Sequence, residues 1–177
     1  MKRIAIIGCG GAGKSTLARQ LGEILGIEVI HLDALNWKPG WVSTPQDEWH
    51  AIERDLVTGD SWIIDGNYGG TMAIRLARAD SVIFLDFPTI ICLYRAMRRV
   101  IRYYGRTRTD MGPGCPEKID LSYVNWILGF RRQPRARIIG RLEEHCEGKR
   151  VIILRRPKEV EAFLREMRVS HCDTEAV

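Results

Sequence analysis

Residues 8–15 read Gly-Cys-Gly-Gly-Ala-Gly-Lys-Ser, a GxxxxGK[ST] string. Arg3 to Ile7 in front of it is a short, β-branched run, and Lys14 to Leu25 behind it has Leu17, Leu21, Ile24 and Leu25 at helical spacing. A buried strand, a glycine turn and a helix in immediate succession place the loop at the ligand edge of an α/β sheet. Glycines let consecutive N–H groups point into one concavity, and the helix start adds the positive end of its dipole. Such a cradle binds phosphate.

From these residues a nucleotide triphosphate site is expected. The backbone of Gly8, Gly10, Gly11, Ala12 and Gly13 would surround the phosphates, Lys14 would reach the β- and γ-phosphates, and Thr16 the α-phosphate. Ser15 would ligate Mg²⁺, so the expected cofactors are ATP and Mg²⁺. A second carboxylate should support the metal. Asp65, followed by Gly66 at the end of an apolar run, is preferred to Asp86, which is expected to cap the next helix. Asp33 has two readings, a turn aspartate or a general base for an acceptor hydroxyl.

Further along, strands are predicted at 27–32, 61–65, 81–86 and 150–154, alternating with helices. Thr44-Pro45-Gln46-Asp47 reads as a helix start with Thr44 as N-cap, running to about Thr58. A basic helix is predicted from about Thr89 to Tyr104 and a long one from Leu121 to Cys146, bent at Gly129 or Pro134. Pro157 opens the last helix, and the tail after Ser170 is expected to fray. Trp37, Trp41 and Tyr68 fall in loops near the ligand edge, whereas Trp49 and Trp62 have core spacing.

Charge divides the chain. The net charge is +5, yet Arg95 to Arg156 holds 16 basic residues against 6 acidic, leaving −5 for the remainder. Arg95, Arg98, Arg99 and Arg102 share a helical face, and Arg131, Arg132, Arg135 and Arg137 return later. Between them, 105–118 carries Gly105, Arg106, Arg108, Gly112, Pro113, Gly114 and Pro116 and reads as a loop. Arginine forks suit phosphate oxygens. The apolar run from Val82 to Tyr94 is broken by Asp86 and Pro88, which argues against a membrane span. Five scattered cysteines without a CxxC argue against a disulfide framework and suit a reducing cytoplasm.

With these features placed, the chain resembles the adenylate-kinase-like group of P-loop nucleoside and small-metabolite kinases. It is most similar to the bacterial proteins called "DNA topology modulation protein" or FlaR-like. The strings at 32–41 and 65–71, Arg106 to Met111 and Gly114 to Lys118 carry that likeness. The resemblance implies one domain over 1–177, a three-layer α/β/α fold and a five-stranded parallel sheet of order 2-3-1-4-5. It implies an acceptor region at 34–60 and a short lid at 105–118. It implies an ATP- and Mg²⁺-dependent phosphotransferase, with Lys14, Asp33, Arg99 and Arg132 catalytic and Arg98 holding the nucleotide. Arg98, Arg99 or Arg102 would stack on the adenine. The chain departs from nucleotide kinases at Asn67-Tyr68-Gly69-Gly70, where an arginine usually holds the acceptor's phosphate; Arg75 is the candidate substitute. That favours a small hydroxyl acceptor. The alternative partner is nucleic acid, along the basic block, although no helix-turn-helix or RNA-binding motif is present.

Overall fold

The computed structural model describes the backbone of residues 1–175. Its elements run β1 (Arg3–Gly8), α1 (Lys14–Leu25), β2 (Val29–His31), α2 (Leu32–Asn36), β3 (Trp37–Lys38), β4 (Val42–Ser43), α3 (Gln46–Leu56) and β5 (Trp62–Asp65). They continue with α4 (Met72–Arg78), β6 (Ser81–Leu85), α5 (Thr89–Tyr103), α6 (Leu121–Gly129), α7 (Pro134–His145), β7 (Arg150–Leu154) and α8 (Pro157–Glu175).

Five strands form one parallel sheet in the order β2-β5-β1-β6-β7, which is the predicted 2-3-1-4-5 once the two strands of a small hairpin are set aside. Strands covered on both faces should be continuously apolar. Accordingly, Ile4, Ile6, Ile7, Ile63, Ile64, Val82, Ile83 and Phe84 are fully buried, each contributing roughly 1.5–3 kcal/mol of burial. Right-handed crossovers fix the layers. The chain moves one way from β1 to β2 and the other way from β2 to β5, from β5 to β6 and from β6 to β7. Thus α1 pairs with α8 on one face, while α4 packs with α3 and α7 on the other.

Several local expectations are revised. Strand β2 stops at His31, and Asp33 lies in the first turn of the short helix α2 rather than at a strand end. Residues 37–43, expected as loop, pair as the antiparallel β3–β4 hairpin, with Trp37 opposite Ser43. Thr44 does not cap α3: its hydroxyl donates to the Asn36 carbonyl at 2.9 Å, and Pro45 takes the N-cap position. Asp86 does not cap α5 either; Arg135 grips it with two hydrogen bonds of 2.8 Å, tying α7 to the end of β6. The long helix of 121–146 is two helices, separated where the bend was expected. Helix α8 continues beyond Ser170 to Glu175, and the last two residues of the expected fraying tail lie outside the described residues. Trp49 and Trp62 pack in the core as their spacing implied. Among the described residues, no helix is long and apolar enough to cross a membrane.

Candidate active site

The glycine loop leaves β1 and turns into α1 with Gly11 at φ 78° and Gly13 at φ 99°. Gly11 allows α5 to approach backbone to backbone, because a Cβ there would run into the Cys92 carbonyl. Beneath the loop lie the buried thiols of Cys9 and Cys92, the latter donating to the Phe87 carbonyl at 4.0 Å. Arg95 of α5 also donates to the Ala12 carbonyl at 3.2 Å. The loop and the arginine-bearing helix are therefore one fixed unit.

Lys14 Nζ donates to the Gly8 and Cys9 carbonyls, both at 3.1 Å. Across the sheet edge, the Asn67 side chain brackets Gly8. Its Oδ1 accepts from the Gly8 N–H at 3.0 Å, and its Nδ2 donates to the Gly8 carbonyl at 2.8 Å. Asn67 is held in turn by Arg75, which donates to the Gly66 and Asn67 carbonyls at 3.2 and 2.8 Å and is fully buried against Glu53. Arg75 is thus committed to the scaffold and does not reach the acceptor side as expected.

The carboxylates are each oriented. Tyr68 donates its hydroxyl to Asp33 Oδ1 at 2.7 Å, and burial together with the Asp33 charge pushes that phenol far above its usual range. Asp65 is buried and lies 2.8 Å from His31 Nδ1. Burial alone would lower the His31 pKa; the Asp65 hydrogen bond and charge outweigh it and hold the imidazole above its ordinary value. Asp110 comes from the loop at 105–118. Burial alone would raise its pKa, but Arg108 and a hydrogen bond from Ser15 hold it low. Ser15 and Asp65 line the same cleft, and with Asp110 they supply only hard oxygen donors. Among the described residues no cluster of three His, Cys, Asp or Glu forms a cage. This oxygen-only set fits magnesium, whose remaining ligands would come from phosphate and water.

The loop at 105–118 is pinned at both sides. Glu117, 4% exposed, lies 3.0 Å from Arg99 Nε and 2.8 Å from Arg108 Nε. The N–H directions miss its oxygen, so the contacts are ion pairs rather than hydrogen bonds. Its backbone is fixed by Gly105 N–H to Glu117 O at 2.9 Å and Glu117 N–H to Arg106 O at 3.0 Å. Opposite, Gly40 N–H donates to Gly114 O at 3.0 Å, Trp41 Nε1 to Pro116 O at 3.1 Å, and Cys115 Sγ to Lys38 O at 3.2 Å. Gly112 sits so close to the Trp37 carbonyl that a side chain would not fit. Tyr123 of α6 carries the Arg99 guanidinium over its ring at 5.5 Å and places its hydroxyl against Gly10.

Two cavities, of about 610 and 490 Å³, adjoin here. The smaller surrounds the glycine loop with Ser15, Thr16, Asp65 and Arg95. The larger lies between the β3–β4 hairpin and α6. Both are lined by Lys14, Asp33, Arg99, Arg108 and Tyr123. Of the arginines picked from sequence, Arg99 is in this seam. Arg98 and Arg132 are exposed and line neither cavity, and Arg102 lies over Tyr103 on the outer side. Glu117, Asp110 and Tyr123 were not singled out from sequence, because a lone acid or tyrosine near a glycine-rich loop has no periodic signature.

No protein-family model matches the chain. It is 29% identical over 106 residues to an uncharacterized protein, YqaC, of Bacillus subtilis (strain 168), an alignment covering 59% of this chain; the chain spans 60% of that relative's length. Among solved structures it is similar to a shikimate kinase from Acinetobacter baumannii in complex with shikimate, at 15% identity and a TM-score of 0.57 over 94% of this chain and 90% of that one. It is also similar to a gluconokinase from Sinorhizobium meliloti 1021, at 16% identity and 0.55 over 98% and 93%. At such identities the likeness establishes the P-loop α/β/α fold with its five-stranded parallel sheet.

Proposed function

We propose that the protein is an ATP- and Mg²⁺-dependent phosphotransferase acting on a small hydroxyl compound. The observation that carries this reading is the seam of Lys14, Asp33, Arg99 and Arg108 shared by two adjoining cavities. One cavity contains the phosphate loop; the other offers a carboxylate to a second molecule. The fold shared with a shikimate kinase and a gluconokinase supports it.

On this reading the backbone of Gly8 to Gly13 holds the ATP phosphates, with Thr16 beside them. Asp33, oriented by Tyr68, accepts the proton of the acceptor hydroxyl. The acceptor oxygen bonds to the γ-phosphorus as the bridging P–O bond breaks, and its electron pair leaves on ADP. Lys14, Arg99 and Arg108 stabilise the charge on the transferring group. Arg95 replaces Arg98 as the nucleotide-side arginine, because it lines the smaller cavity. Arg132, expected as catalytic, is exposed and lines neither cavity, and this reading assigns it no role. Ser15 and Asp65 would hold Mg²⁺, which supplies charge neutralisation between the phosphates.

The test is ADP release with Lys14→Ala against wild type. Loss of about a hundredfold or more in rate is expected while the circular dichroism is preserved; an undiminished rate refutes the reading.

A second reading draws on a different observation. Arg98, Arg102, Arg106, Arg131 and Arg132 are exposed. They could track a nucleic-acid backbone, as the topology-modulation label of the similar proteins suggests. Salt-sensitive DNA binding abolished by Arg98→Ala/Arg102→Ala, yet indifferent to Lys14→Ala, would favour it.

A further inference from the structure

We propose that the phosphoryl acceptor carries no anionic group and presents a flat, apolar ring face. This rests on the phosphotransferase reading and names its substrate class.

Charge comes first. Around the larger cavity stand four cations, Lys14, Arg99, Arg108 and Lys118. Lys14 belongs to the phosphate loop. Arg99 and Arg108 face the transferring phosphoryl group on this reading, and Glu117, shared by both, and Asp110, 3.0 Å from Arg108, balance their charge, so they leave no excess for a second anion. The Glu117 backbone is bonded to Arg106 and Gly105, and its carboxylate is buried between the two guanidiniums, so the acid is part of the site a substrate anion would meet. Lys118 is exposed, its ammonium 5.8 Å from the centre of the Trp41 ring. Against it stand Asp33 and Asp120. Nearby, Arg75 is committed to Glu53 and Lys38 to Glu48 at 3.1 Å, and Arg141 donates to the Gly69 carbonyl. Lys14 aside, a carboxylate or phosphate on the acceptor would find Lys118 as its one cation without a carboxylate partner among those lining the cavity, and that ammonium is exposed and screened by water, so the anion's desolvation would be poorly repaid.

Shape comes second. Two aromatic pairs flank the cavity. Trp37 and Trp41 meet edge to face with centroids 5.7 Å apart; Tyr123 and Trp126 lie nearly parallel, 6.0 Å apart with an 11° tilt. Met97 and Met111 add pliable apolar wall. Aromatic faces of this kind take a ring, and Asp33 is left to receive its hydroxyl.

Matched pairs test this: adenosine against AMP, and phenyl glucoside against phenyl glucuronide. Each is titrated by tryptophan fluorescence with a non-hydrolysable ATP analogue and Mg²⁺ present. At least one uncharged member should bind about tenfold or more tighter than its anionic twin, a preference of that size being ~1.4 kcal/mol. Glu117→Gln removes one negative charge and should shift the preference toward the anionic twin. Trp37→Ala should weaken the uncharged ligand about tenfold and leave ATP-analogue affinity within about twofold. Anionic twins that bind as tightly as uncharged ones, or no binding by either uncharged member at millimolar concentration, overturn the proposal. Failure of wild type to bind the ATP analogue in a Lys14-dependent manner overturns the phosphotransferase reading instead.

Discussion

The Asn67 carboxamide closes a two-way bracket on the Gly8 backbone, accepting from its N–H and donating to its carbonyl. The resemblance to nucleotide kinases implies an arginine just after Asp65-Gly66, and Asn67 stands there instead. One side chain from the β5–α4 turn therefore fixes the first residue of the phosphate loop rather than an acceptor's phosphate.

Asn67→Ala should remove both bonds, each worth ~1 kcal/mol. We expect urea unfolding to show a loss of about 1–2 kcal/mol and ATP affinity to fall about tenfold, read by calorimetry. Unchanged affinity would mean that the loop holds its shape without the bracket.

Arg75 and Glu53 form a buried ion pair beneath the same turn. Removing one partner strands the other charge, so Glu53→Gln or Arg75→Met alone should cost about 3–5 kcal/mol. The double variant should recover part of that loss. It should not recover all, because the carbonyls of Gly66 and Asn67 lose their donor. Strictly additive costs in a double-mutant cycle would show that the pair does not act as a unit.

Gly10 faces the Tyr123 hydroxyl so closely that any side chain must displace it. Gly10→Ala should weaken ATP binding, and Gly10→Ala/Tyr123→Ala should bind better than Gly10→Ala alone. If truncating Tyr123 gives no relief, the collision is not what impairs the single variant.

His31 supplies the pH dependence. Its folded pKa is raised by Asp65. A raised histidine contributes stability that is complete below its unfolded value, about 6.5, and that disappears as pH climbs through the folded value. His31→Gln should therefore cost more stability at about pH 5.5 than at about pH 8.5. Equal costs at both would remove the His31–Asp65 charge interaction from the account.

The parallel sheet could be read from the sequence because buried strands are locally apolar and the phosphate loop anchors β1, whereas its strand order followed only from the resemblance to P-loop kinases. Lys14, Ser15 and Asp65 were placed at the ligand edge from the phosphate-loop motif and a strand end, and Asp33 was placed there although it lies in the first turn of α2; all four line the smaller cavity. The arginines were not legible, because helical spacing puts Arg95, Arg98, Arg99 and Arg102 on one broad face, and only packing separates Arg95 and Arg99 from their exposed neighbours. Asp86 and Arg135 found each other across 49 positions, which no local pattern could announce. The β3–β4 hairpin escaped notice because its strands are two residues each. The loop at 105–118, not strand alternation, holds it in place.

That docking has a kinetic consequence. The hairpin forms one wall of the acceptor cavity, and the loop bonded to it carries Arg108 and Asp110 over the nucleotide side. The two segments are bonded to one another as one cap. On the phosphotransferase reading, any movement of the hairpin off the acceptor side would also draw Arg108 and Asp110 off the nucleotide side, which would couple the residence times of ADP and the phosphorylated acceptor.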